Sequence, residues 1–233
     1  MAVGIFIGAS LAARDTQALW TLVPGSLGHT PVMLERLKAS PDEQGRFLER
    51  TESSIGMNSL FGSKLFAHNT RVGLLALAAG MLAGIPTVML QLYNGMVLGA
   101  FSSIFIGGRW WLEFLAWILP HGVPEITAIC LCVSGGLMLG GAILAPGRRT
   151  RRTAIRESMD SALLLFAISI PLFFAAAGIE SFVRQSVLGT ETRLSIAAAM
   201  VLLLGIGAFA VRRLSIRHHA ELGWLSDLRQ APE

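Results

Sequence analysis

The sequence predicts an all-α protein: a polytopic membrane helical bundle with broken or re-entrant helices and a small helical extracytoplasmic segment. Three observations carry that reading. The chain is 53% hydrophobic and 15% charged, whereas soluble domains carry about 25% charged residues. Its apolar residues are contiguous: Val72–Leu92, Ile126–Ala145, Ser161–Ile179 and Leu194–Val211 each run 18 to 21 residues without an ionisable side chain. A helix needs about 20 such residues to cross the ~30 Å hydrocarbon core. Finally, arginine is concentrated between and after these runs, as the positive-inside bias demands of cytoplasmic loops.

Taken in order, residues 1–13, "MAVGIFIGASLAA", are apolar but short, about 20 Å as helix. They lack a basic leader, so a signal peptide is a poor reading. They are expected to be the outer part of a first transmembrane span that is truncated here. Residues 14–67 change character, with six basic and six acidic side chains and turn formers at Pro24, Gly25, Gly28 and Pro31. In "SPDEQGRFLER", Ser40 can cap a helix, Pro41 suits its first position and Glu43 completes a capping box. This stretch is too short for an independent core and should lean on the membrane domain.

Residues 68–212 form the expected multi-pass membrane domain. The stretch from His68 to Ile106 reads as a broken hairpin whose turn is expected at Asn94-Gly95. The tryptophan-rich "WWLEFLAWIL" that follows suits a shallow or re-entrant helix at the membrane interface. In "PHGVPE", Pro124 and Gly122 argue against one continuous helix through His121 and Glu125. Glycine pairs at four-residue spacing, Gly80/Gly84, Gly95/Gly99 and Gly136/Gly140, let backbones approach closely. Packing within the chain is the favoured use, and the same spacing permits a homo-oligomer.

The loop with Arg148, Arg149, Arg151, Arg152 and Arg156 is assigned to the cytoplasmic face, together with Arg212 at the end of the last span and Arg213 and Arg217 of a cytoplasmic tail, residues 213–233. Glu180–Arg193 is then outside, as are residues 14–67 and "PHGVPE". Depth in the membrane brings Asn69 and Arg71 toward His121 and Glu125, so these four are expected to form one polar cluster, structural or ligand-binding. A charge at the bilayer centre is unfavourable by roughly 2.5–3.5 kcal/mol on insertion scales, less toward the interface, and Arg71 is the expected partner of Glu125.

No catalytic, metal-binding or cofactor constellation is expected. H-E-x-x-H is absent, Ser102, Ser103 and Ser134 lack a nucleophile turn, and there is no phosphate-cradling loop. The arginines are topogenic, so nucleic acid is not an expected partner. Cys130 and Cys132, two apart, lie on different helix faces and should act as small apolar residues rather than as a pair.

Four segments in order resemble the stage II sporulation protein M family of integral membrane proteins: "HNTRVGLLALAAGMLAGIPTVMLQLYNGMVLGAF", "ILPHGVPEITAI", "GGLMLGGAILAPGRRTRR" and "GIESF". Thr70 stands where the family usually has a second asparagine. The resemblance implies a non-enzymatic component of the bacterial inner membrane. It further implies a scaffold that anchors or recruits envelope partners such as peptidoglycan hydrolases, a role tied in spore formers to sporulation. The alternative is a membrane channel or transporter using a polar site around Glu125 and His121.

Overall fold

The computed structural model describes residues 1–23, 25, 30–49, 55–183, 186 and 188–230, and these are all helix, turn or loop, with no strand among them. Among the described residues nine α-helices follow in order: α1 Ala2–Arg14, α2 Thr16–Leu22, α3 Pro31–Ala39, α4 Pro41–Glu49, α5 Ile55–Ala78, α6 Ile85–Ser102, α7 Trp111–Leu144, α8 Arg151–Gly178 and α9 Thr190–Gln230. Among the described residues three stretches are long and apolar enough to cross a membrane: Trp111–Leu144, Arg151–Val183 and Thr190–Arg213. They contain three of the four expected spans. The all-α membrane bundle stands.

The fourth expected span, Val72–Leu92, is interrupted. A 3₁₀ turn at Ala79–Met81 leads into Ala83 and Gly84, which take the left-handed conformation at φ 58° and 75°. The chain reverses there. The turn is tolerated because backbone packs on backbone: a Cβ placed on Gly140 of α7 would come within 2.6 Å of the Gly84 nitrogen. The hairpin is therefore present, but its turn is at residues 79–84 and not at Asn94-Gly95. Those two lie inside α6, where Gly95 is buried against α1, with Gly4 Cα 3.0 Å from its would-be Cβ. The asparagine–glycine pair reads as a turn locally, but a close helix–helix contact selects glycine for the same lack of a side chain. All three glycine pairs are used within the chain.

Helix α7 also differs from the expectation. It runs unbroken through Pro120 and Pro124, so the tryptophan-rich segment is its first third and not a separate re-entrant helix. Each proline deletes one backbone hydrogen bond, leaving the carbonyls of Ala116 and Pro120 without their usual donor. Neighbouring helices make such losses tolerable inside a bundle, and Ala116, Pro120 and Pro124 are all buried. At about 1.5 Å per residue, the 34 residues of α7 reach about 51 Å, well beyond the hydrocarbon thickness.

The surplus length has a use. Phe114 of α7, Phe101 at the end of α6, Phe105 just beyond it, Ala12 of α1, Leu19 of α2, Leu34 and Leu37 of α3 and Leu48 of α4 share one buried core. The segment over residues 14–49 thus leans on the membrane helices, as its length requires. Local chemistry supports the short helices. Ser40 Oγ accepts from the Glu43 N–H at 3.5 Å, the expected half of the capping box, and Thr30 Oγ1 accepts from Met33 N–H at 3.3 Å. Lys38 Nζ donates to the Ala12 carbonyl at 2.7 Å, covering the end of α1, where a cation is favourable. Of the expected turn formers, Pro24 and Gly28 lie outside the described residues.

Gln44 ties this unit to the bundle. Its side-chain amide, buried in α4, donates to the Leu37 carbonyl at 2.9 Å and the Ile104 carbonyl at 3.1 Å. Gln44→Leu keeps the bulk but strands two carbonyls away from water. It is expected to lower stability by about 1–3 kcal/mol, read as a drop in melting temperature of the detergent-solubilised protein, whereas the exposed Gln17→Leu should leave it unchanged.

At the opposite end, Arg148, Arg149, Arg151, Arg152 and Arg156 are all exposed. Thr150 caps α8 by accepting from Thr153 N–H at 3.3 Å, and Arg149 pairs with Glu157. Arg212 and Arg213 lie within α9, and the side chain of Arg217 is outside the described residues.

Candidate functional site

Helical continuity changes what "PHGVPE" can do. His121 and Glu125 stand four apart on one unbroken helix, so their side chains share a face. That face meets α5 and the segment after α8. Glu125 lies 19 residues before Leu144, about 28 Å of helix. Glu180 lies 20 residues beyond Asp160, the last charged residue before it in α8, a rise of about 30 Å. Both acids therefore sit at the membrane boundary far from the arginine loop.

His121 is buried at 6% exposure and Glu180 at 8%, with His121 Nε2 3.9 Å from Glu180 Oε2. The Trp117 ring stands edge-on to the imidazole, centroids 6.0 Å apart, and walls it from the aromatic core. Glu180 also acts electrostatically on Glu125, and the Asn69 amide lies against the Glu125 carboxyl. Asn69 is buried at 5% exposure, and its Nδ2 completes no hydrogen bond with the protein.

Of the four residues expected to cluster, the structure brings Asn69, His121 and Glu125 together. Arg71 does not join. Its side chain is exposed, and no ion pair links it to Glu125. Two residues along a helix is a turn of about 200°, so Asn69 and Arg71 cannot face the same neighbour. Helix phase, which depth alone ignores, decides between them.

The site instead gains Glu180, expected in the external loop. It belongs to a π-helical turn, Ile179–Val183, that continues α8 and buries both Glu180 and Ser181. A π turn carries one extra residue per turn and re-aims the side chains beyond it, and such turns are frequent at functional sites. The available sequence signal was weak: one acid directly after an apolar run, inside "GIESF". The two cysteines are not simply small apolar residues: Cys132 Sγ donates to Ser169 Oγ at 3.2 Å, and half-buried Cys130 Sγ accepts from Gln91 Nε2 at 3.5 Å. They do not pair.

A direct consequence is a difference in energetic coupling. In double-mutant cycles, His121→Leu with Glu180→Gln should show an interaction energy within the roughly 0.5–3 kcal/mol range of contacting residues. Arg71→Ala with Glu125→Gln should be additive within about 0.5 kcal/mol. Melting temperatures of the four single and two double variants check both statements.

Chemically, the arrangement places an imidazole, two carboxylates and an amide in one sheltered spot at a membrane boundary. Ionisable groups at such depth pair with one another or mark an ion or substrate path. Among the described residues no three His, Cys, Asp or Glu side chains are grouped closely enough to hold a metal ion.

In comparisons with known proteins, no curated protein and no solved structure matches the chain. The family model described as Stage II sporulation protein M matches residues 1–184, a stretch that includes the α5–α6 hairpin, the whole of α7 and α8, and all four residues of the cluster. With most of its length so matched, this chain belongs to the stage II sporulation protein M family of membrane proteins.

Proposed function

We propose that this protein is a multi-pass scaffold of the bacterial inner membrane, with no catalytic activity of its own, that recruits envelope partners such as peptidoglycan hydrolases. The observation that supports this reading is the mechanical continuity of α7. One helix runs from the aromatic core of the α1–α4 unit to the arginine loop, so whatever docks on that unit is held at a set height and orientation over the bilayer. The orientation follows from the arginines: their loop faces the cytoplasm, and the α1–α4 unit faces outward.

A groove of ≈ 290 Å³ lies between α3 and α4, lined by Val32, Met33, Leu37 and Phe47 with Arg36 and Arg46 at its edge. Val32 is 57% exposed. This is a surface on which a partner segment can lie. A photo-crosslinking amino acid at Val32, introduced in the full chain in growing cells, tests the reading. The expected product is a reproducible adduct with a peptidoglycan hydrolase or another envelope protein identified by mass spectrometry. The same probe at Leu203, exposed on α9, should give none. Failure to recover any envelope adduct from Val32 removes the scaffold reading.

The polar cluster favours a second reading, a channel or transporter working through Glu125 and His121, because buried ionisable side chains line solute paths in membranes. It predicts solute- or proton-dependent flux in proteoliposomes that Glu125→Gln abolishes. The scaffold predicts no flux in either protein.

A further inference from the structure

The contact between His121 and Glu180 depends on charge. From Nε2 to Oε2 it measures 3.9 Å, beyond the roughly 2.7–3.2 Å of an N–H···O hydrogen bond. What draws the two together is the Coulomb attraction of an imidazolium for a carboxylate, and a neutral imidazole supplies none of it. The pair is held from both sides. Glu180 sits in the π turn Ile179–Val183, and α5 presses on that turn at a glycine: a Cβ on Gly62 would lie 2.6 Å from Ser181 Oγ. Ser181 Oγ in turn donates to the Ala177 carbonyl at 2.7 Å. On the other side His121 belongs to α7, with the Trp117 ring edge-on to its own.

A second carboxylate makes the proton on the imidazole matter. Glu125, about one turn along α7 from His121, feels Glu180 electrostatically and has the Asn69 amide against it. With the imidazole neutral and both acids ionised, the three side chains carry two negative charges in a sheltered place. A proton on His121 halves that charge, and ionisable groups at such depth persist where they pair. Among the described residues, the charged side chains of α5 nearby in sequence to Asn69 are Lys64, His68 and Arg71, and all three are exposed. Glu113 of α7 is about two turns from His121, and α8 carries no charge between Asp160 and Glu180. At the start of α9, Glu191 is exposed, while buried Arg193 donates Nη2 to the Ser186 carbonyl at 2.8 Å. Arginine keeps its charge at every ordinary pH. The imidazole is the group here whose ordinary range lies between about pH 5 and 8.

We propose that His121, Glu180 and Glu125 form a binding site for one exchangeable proton at the end of the bundle opposite the arginine loop, and that the bound proton fastens the π turn to α7. The proton comes from water, resides on the imidazole and returns to water; no bond other than that N–H forms or breaks. Its loss leaves two carboxylates facing one another without their counter-charge and loosens the turn. The site goes beyond both readings above, since it fills at equilibrium with no flux and no docked partner.

Trp117 supplies the reporter, because an imidazolium beside an indole quenches its fluorescence more than a neutral imidazole does. The full chain in lipid nanodiscs is titrated from about pH 5 to about pH 8 while tryptophan emission and melting temperature are followed. As pH rises, the wild type should brighten and melt at lower temperature. Trp117→Phe should lose the emission change and keep the melting trend, and His121→Gln should lose both. Glu180→Gln should displace the emission midpoint by about one pH unit or more. Glu125→Gln, which leaves the His121–Glu180 contact in place, should displace it too. His68→Gln, at an exposed histidine, should behave as the wild type. The proposal is overturned if either wild-type signal is flat over this range, if the emission change survives Trp117→Phe or His121→Gln, or if a folded acid variant leaves the midpoint where it was. Glu125→Gln keeps the test open should Glu180→Gln fail to fold.

Discussion

Gly136→Leu is expected to abolish assembly of the bundle. Gly136 sits in α7 where α5 backbone and an α6 side chain arrive: a Cβ there would lie 2.5 Å from the Ala76 carbonyl oxygen and 3.1 Å from the Thr87 side chain. The Ala76 carbonyl is the acceptor of the Thr87 hydroxyl, so an added side chain strikes a hydrogen bond that ties the two legs of the hairpin. Gly80, on the other side of this contact, is itself packed directly on Gly136. Backbone cannot rotate aside as a flexible side chain can. The penalty should meet or exceed the upper end of the roughly 1–3 kcal/mol usual for overpacking. The measurement is size-exclusion chromatography of the solubilised protein, in which the monodisperse peak is lost. Gly141→Leu, five residues along the same helix and facing open space, should keep the wild-type profile.

Phe114→Ala should detach the α1–α4 unit while sparing the membrane helices. Phe114 is 1% exposed and stacks on Phe105 with centroids 4.4 Å apart at 7°. Phe101, Trp111 and Trp117 stand around it within 6.2 Å. Removing a buried phenylalanine side chain costs about 3–5 kcal/mol through lost transfer energy and the cavity left behind. The remaining clusters, around Cys132 with Phe173 and around Leu77 with Leu139 and Ala162, share no buried residue with this core. Two thermal transitions are therefore expected in place of one, with the early one followed by tryptophan fluorescence. The exposed Phe209→Ala should show no such split.

The particular residues explain why some features were legible and others were not. Ser40 with Pro41 and Glu43 announced a helix start because capping is satisfied within three residues. The hairpin was legible as a break in hydrophobic character, yet its turn was assigned to Asn94-Gly95 because a glycine gives the same local signal for a turn and for a helix crossing. Pro120 and Pro124 suggested a broken helix, since the lost hydrogen bonds are local while the packing that compensates them is not. Arg71 was the natural partner for Glu125 by charge and depth, and helix phase turned it outward.

Hydrophobic run length was enough to establish a helical membrane protein, since the free energy of placing a helix in lipid accumulates residue by residue along the chain. The order of polar and apolar segments, and the family to which they belong, needed no coordinates. The meeting of His121 with Glu180, the chain reversal at residues 79–84, and the fusion of the aromatic core to α7 had to come from the packed chain. Each of these depends on helix rotation, a π turn or a hairpin register, and these are settled by contacts between segments distant in sequence.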